Sequence, residues 1–125
     1  MEFNWNIANE TTPYISIRDT GILINKQAVA LIGSPEKIVI GFDEKNMIIG
    51  LKEYDGSENV KSYKFYSKMK YGMVRIGCKN FVKYLSSLTG TQFDHAIRYE
   101  AKFDAEERIL YIPLARDKKH EGGED

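Results

Sequence analysis

Residues 21–33 read GILINKQAVALIG, and residues 72–85 read GMVRIGCKNFVKYL. Each opens on a glycine, alternates apolar residues over a few positions, and passes into a segment with one apolar stripe. In the first, Ile22 and Ile24 precede Ala28, Val29 and Ile32, a stripe suited to a short helix. Gly33 stands where a glycine relieves the left-handed turn after a helix, and Pro35 follows it. In the second, Val74 and Ile76 precede Phe81, Tyr84, Leu85 and Leu88, at i, i+3, i+4 and i+7 of a helix that Gly90 is placed to end. Both stretches therefore predict a strand followed by a short helix.

Working outward, the flanks repeat as well. PYISIR (13–18) alternates Ile15 and Ile17 against Tyr14, Ser16 and Arg18, which predicts a half-buried strand, and Asp19-Thr20-Gly21 is a turn. After the first helix, KIVIGF, DEKN and MIIGL predict a β-hairpin. After the link EYDGSENV, SYKFY predicts a strand and YGM a turn. Beyond the second helix, IRYEAKF sets Ile97, Tyr99, Ala101 and Phe103 on one face. DAEER is a turn and ILYIPL the returning strand. Ile22, Ile24 and Val29 match Val74, Ile76 and Phe81 at an offset of 52, and Phe42, Asp43, Ile48 and Leu51 match Phe103, Asp104, Ile109 and Ile112 at an offset of 61. Apolar spacing alone recurs by chance in such stretches. The repeated order of elements is what favours duplication.

The expected fold is α+β: a mostly antiparallel, barrel-like sheet with two short helices, built as a tandem β-β-α-β-β repeat. Residues 1–13 form a lead-in in which Phe3 and Trp5 dock on the domain. Residues 14–115 form one domain from two halves, 14–54 and 61–115. Residues 116–125 form a mobile polar tail. At 125 residues the chain suits one domain with a modest core. It shows no signal-peptide pattern and no apolar run of membrane-span length, so a cytoplasmic protein without a membrane partner is expected. The one cysteine, Cys78, permits neither an internal disulfide nor a cysteine metal cluster.

A formal net charge of zero conceals a strong asymmetry: residues 59–93 hold seven basic residues and no acidic one. If residues 62–70 are extended, Lys64, Tyr66, Lys68 and Lys70 share one face, while Tyr63, Phe65, Met69 and, if the strand continues, Tyr71 share the other, core face. Lys79 and Lys83 lie one turn apart on the second helix, and Arg75 lies on the strand between the lysine segment and that helix, opposite in parity to Val74 and Ile76. Spaced cations with an interleaved aromatic suit a phosphate backbone and a stacked base. The competing reading is a solvated edge strand whose lysines prevent strand-to-strand aggregation. A lysine-rich block favours backbone contact over base reading, which prefers arginine.

The order of a strand, a Gly-containing turn, an apolar triplet (ILI or VRI), a short helix and a hairpin with a charged turn resembles the AbrB/SpoVT/MazE swapped-hairpin family. Gly72 matches the family's glycine; Met73 and Gly77 stand where Arg and Pro are common. The resemblance spans residues 14–114. It implies two interleaved halves closing one barrel, here within a single chain, and a bacterial DNA-binding or transcription-regulatory role. It places basic contacts on the first strand of the repeat and its turn, where Lys68, Lys70 and Arg75 lie.

No catalytic constellation, Walker loop or dinucleotide fingerprint is present, and no cofactor or metal is called for. His95 reads as a surface or capping residue, Cys78 as a small partly buried one, and the acidic turns at Asp43-Glu44 and Asp104–Glu107 as soluble hairpin turns. The expected function is thus a small non-enzymatic protein that binds DNA or RNA through Lys64, Lys68, Lys70, Arg75, Lys79 and Lys83, with Tyr66 as a stacking residue, as a monomer or homodimer. The alternative is a protein-binding adaptor or inhibitor of phage or mobile-element origin acting on a nucleic-acid-handling partner.

Overall fold

The computed structural model describes residues 1–2, 12–57 and 59–114; the expected docking of Phe3 and Trp5 and the C-terminal tail lie outside them. The chain is α+β, with strands β1 (Tyr14–Arg18), β2 (Gly21–Ile24), β3 (Lys37–Asp43), β4 (Ile48–Glu53), β5 (Tyr63–Lys64), β6 (Met69–Lys70), β7 (Met73–Gly77), β8 (Ile97–Glu100), β9 (Lys102–Asp104) and β10 (Ile109–Pro113). Helix α1 covers Lys26–Ile32 and α2 covers Lys79–Thr89. Two antiparallel five-stranded sheets form, ordered β6-β7-β2-β1-β8 and β5-β3-β4-β10-β9. Among the described residues no ladder joins the two sheets, so they do not close into a barrel.

One core lies between them. Ile15, Ile17, Ile22, Ile24, Val74 and Ile76 enter it from the first sheet, and Ile38, Ile49, Leu51, Leu110 and Ile112 from the second. Period-two alternation produces this, because one face of each sheet is apolar. From α1 come Ala28, Val29 and Ile32, as the sequence predicts. On α2 the buried stripe is rotated from the expected one. Val82 and Leu85 are buried, Phe81 is partly buried, and Tyr84 and Leu88 are exposed.

Asn25 fixes the start of α1. Its side-chain oxygen accepts from the N–H groups of Ala28 and Tyr14, both at 3.0 Å, and its amide donates to the Thr12 carbonyl at 3.0 Å. One buried amide thus caps a helix and holds the entry to β1. Gly21 is set by close approach: a Cβ there would fall against the Ile76 carbonyl oxygen, so the β2–β7 ladder needs glycine at this point.

Two predicted strands are broken where the chain changes sheets. The expected strand 97–103 divides at Ala101, with β8 in the first sheet and β9 in the second. The expected strand 62–70 divides as well. Tyr63 and Lys64 pair with Ile38 and Lys37 in the second sheet, whereas Met69 and Lys70 pair with Val74 and Met73 in the first. Between them Phe65 is fully buried and Tyr66–Lys68 wind into one 3-10 turn. The Phe65 N–H donates to the Glu36 carbonyl at 2.8 Å and the Tyr66 N–H to the Pro35 carbonyl at 3.1 Å. No continuous strand therefore lines up Lys64, Tyr66, Lys68 and Lys70. The strand does not continue past Lys70, and Tyr71, which would have faced the core had it done so, is 91% exposed.

Candidate nucleic-acid interface

The outward face of the first sheet carries the candidate site. Along β1, Ile15 and Ile17 turn inward, leaving Tyr14, Ser16 and Arg18 on the outer face; parity does the same for Leu23 on β2, Arg75 on β7 and Arg98 on β8. The registers gather these residues: Ser16 lies opposite both Leu23 and Arg98, and Leu23 lies opposite Arg75.

Two adjoining hollows of about 470 Å³ each result. Tyr14, Ser16, Arg18 and Arg98 line the first, and Ser67, Met69, Lys70, Tyr71 and Met73 the second. Leu23, Lys68 and Arg75 border both. Five cationic side chains, Arg18, Lys68, Lys70, Arg75 and Arg98, therefore serve one face, and among the described residues no Asp or Glu lines either hollow. None of the five makes an ion pair among the described residues. The guanidinium of Arg98 lies 4.2 Å from the centre of the Tyr14 ring, an attraction that orders both groups. The acids bordering this face are Glu100, opposite Tyr14 in the β1–β8 ladder, and Asp19, next to Arg18 in the β1–β2 turn. Five cations without an ion pair among the described residues raise the local potential even in a molecule of zero net charge.

Of the seven residues expected from sequence, Lys68, Lys70 and Arg75 come together here. Lys64 does not: it sits on the edge strand of the second sheet, opposite Lys37. Tyr66 is 61% exposed but lines neither hollow. Lys79 and Lys83 are exposed on α2 and also line neither. Arg18 and Arg98 were not among the expected contacts. Arg18 is visible in the alternation of YISIR, but Arg98 joins it only through the long-range pairing of β1 with β8. Lys26 is a further unexpected neighbour: a Cβ on Gly72 would stand 2.9 Å from its Cγ, which places the lysine stem beside the β6–β7 turn.

Comparison with protein-family models, curated proteins and solved structures finds no match.

Among the described residues no three His, Cys, Asp or Glu side chains converge as metal ligands, and no helix is long and apolar enough to cross a membrane. His95 is exposed beside Asp94, with Nε2 at 3.7 Å from its carboxylate. Cys78 is buried, and burial pushes its thiol up to about 11, the reverse of an activated nucleophile. In the β3–β4 turn the carboxylate of Asp43 accepts from the Asn46 side-chain amide at 2.8 Å and backbone N–H at 3.1 Å, which lowers its pKa.

Proposed function

We propose that this chain is a small non-enzymatic protein that binds nucleic acid, as a regulator would, through the outer face of its first sheet. The observation that carries the reading is the convergence of Arg18, Lys68, Lys70, Arg75 and Arg98 on one face whose hollows no acid lines among the described residues. Phosphate oxygens are the ligands that such a cluster meets best. Three arginines add planar, bidentate geometry, which the lysine block alone does not supply.

We also read the chain as two copies of one unit, in keeping with its resemblance to swapped-hairpin proteins. Strand registers support this. Adding 52 to the β1–β2 pairs Ile17–Ile22 and Arg18–Gly21 gives Met69–Val74 and Lys70–Met73, the β6–β7 pairs. Adding 61 to the β3–β4 pairs Phe42–Ile49 and Asp43–Ile48 gives Phe103–Leu110 and Asp104–Ile109, the β9–β10 pairs. The central ladders map onto themselves: Ile22–Ile76 exchanges with Val74–Ile24, and Ile49–Ile112 with Leu110–Leu51. Leu23–Arg75 and Gly50–Tyr111 then lie on one approximate two-fold axis. Met47 and Arg108, equivalent at an offset of 61, share left-handed backbone at φ 56° and 58°. The copies differ where Tyr63 to Met69 replaces Ile15 to Ile17: six steps against two, the extra four residues including Phe65 and the turn that carries Lys68.

Titration of the full chain with labelled single- and double-stranded DNA and RNA at low salt tests the function. Binding that weakens steeply with salt is expected; no binding to any of the four ends the reading.

A further inference from the structure

We infer that the second hollow takes an unpaired base of a single-stranded nucleic acid, with Tyr71 as the stacking platform and Lys68, Lys70 and Arg75 on the flanking phosphates; this rests on the nucleic-acid reading above. Tyr71 and Gly72 form the two-residue turn between β6 and β7, with φ of 55° and 81°. Left-handed backbone is disfavoured for a bulky side chain, and such turns are made at least cost by Asn-Gly. The Tyr71 ring is 91% exposed, so packing does not offset that cost. What the position presents is an aromatic face, held at a hairpin tip on the rim of a basic hollow.

The surroundings select the ligand. Lys68, Lys70 and Arg75 line the same hollow as the ring, and the stem of Lys26 lies against Gly72. Met73 gives it a polarisable apolar wall that adapts to a flat base. Its volume of about 470 Å³ is within the roughly 300–1,000 Å³ of small-ligand sites. Contact with a duplex backbone needs cations alone, whereas an aromatic at a tip stacks only on a base that is not already stacked and paired. Tyr14, in the first hollow, is covered by Arg98, and Tyr66 lines neither hollow. At the corresponding turn of the other half, Asp19 takes the place of Tyr71. An acid there repels phosphate, so one such site per chain follows.

The test is fluorescence anisotropy of the full chain at low salt with two probes. One is labelled oligothymidylate of about twenty nucleotides, longer than the ~4–16 nucleotides one single-strand-binding fold covers; the other is a mixed-sequence duplex of the same length. Wild type is expected to bind the single strand more tightly. Tyr71→Asn is expected to lose about five- to hundredfold on the single strand and to leave duplex binding unchanged, while Tyr71→Phe retains both. Single-strand affinity unchanged in Tyr71→Asn overturns the stacking role and leaves the basic groove standing, as does tighter duplex binding by wild type. Failure of wild type to bind either probe removes the stacking role and the nucleic-acid reading together.

Discussion

Leu23 and Arg75 face each other across the ladder between β2 and β7, and both border the two hollows of the basic face. A charge at Arg75 is therefore felt by a ligand in either. Arg75→Glu and Lys68→Glu are each expected to weaken binding of every oligonucleotide regardless of sequence. Each should also reduce the slope of log K against log salt by about 1 for every phosphate that is no longer neutralised. Lys79→Glu and Lys83→Glu reverse charges on α2, off this face. Lining neither hollow, they meet no phosphate held there, so they are expected to cost less affinity and less slope than the first pair, most clearly at about 0.1 M salt, where screening acts over about 10 Å. Equal losses from both pairs of variants would move the contact surface away from the sheet.

Phe65 is fully buried and precedes the turn that swings the chain from the second sheet to the first. Phe65→Ala removes a large core side chain, a change that costs about 3–5 kcal/mol. For a domain of this size that corresponds to a fall in Tm of roughly 10 °C or more, measurable by thermal unfolding. Destabilisation below about 1 kcal/mol would mean that the 65–68 turn is not anchored by this ring.

These two cases show what the sequence could and could not carry. Ile15, Ile17, Ile22, Ile24, Val74 and Ile76 announce their strands because burial on one face imposes a period of two. Gly33 and Gly90 announce the helix ends because both take positive φ. The break at Phe65 is silent, since Tyr63, Phe65 and Met69 keep the alternation of an unbroken strand. Its cause is tertiary: residues 63–64 and 69–70 hydrogen-bond to different sheets. Arg98 was missed for the same kind of reason, its neighbours on the site face being brought by the β1–β8 ladder. On α2, Phe81, Tyr84, Leu85 and Leu88 have helical spacing, yet the sheets cover the side bearing Val82 and Leu85. Periodicity gives the width of a stripe more securely than its direction.

Cys78 stands at the residue before α2 in a buried position, with its thiol pushed up to about 11 by loss of solvent. An unhindered thiol near 8.5 is partly ionised at pH 8. Alkylation of the native protein at that pH should be at least about a hundredfold slower than in denaturant. The sign of the pH dependence follows: the folded state holds this proton more tightly, so its contribution is whole below the unfolded pKa and is lost as pH rises toward 11. Cys78→Ala should flatten that part of the decline in stability. Rapid labelling of native protein, at the rate seen in denaturant, would contradict the burial.

Tyr71 makes the sharpest separation of stability from function. Its backbone is left-handed at φ 55°, its ring is 91% exposed, and Gly72 follows at φ 81°. A bulky residue in this region is strained by on the order of 1 kcal/mol or more, and Tyr71→Asn installs the Asn-Gly pair that such a hairpin prefers. The variant is therefore expected to be more stable than wild type by about 0.5–1 kcal/mol, read as a higher denaturant midpoint at unchanged m-value. Greater stability together with weaker single-strand binding would mark the tyrosine as kept for its ligand at a cost to the fold. A loss of stability would show instead that the ring supports the hairpin, and its exposure would then need a structural explanation.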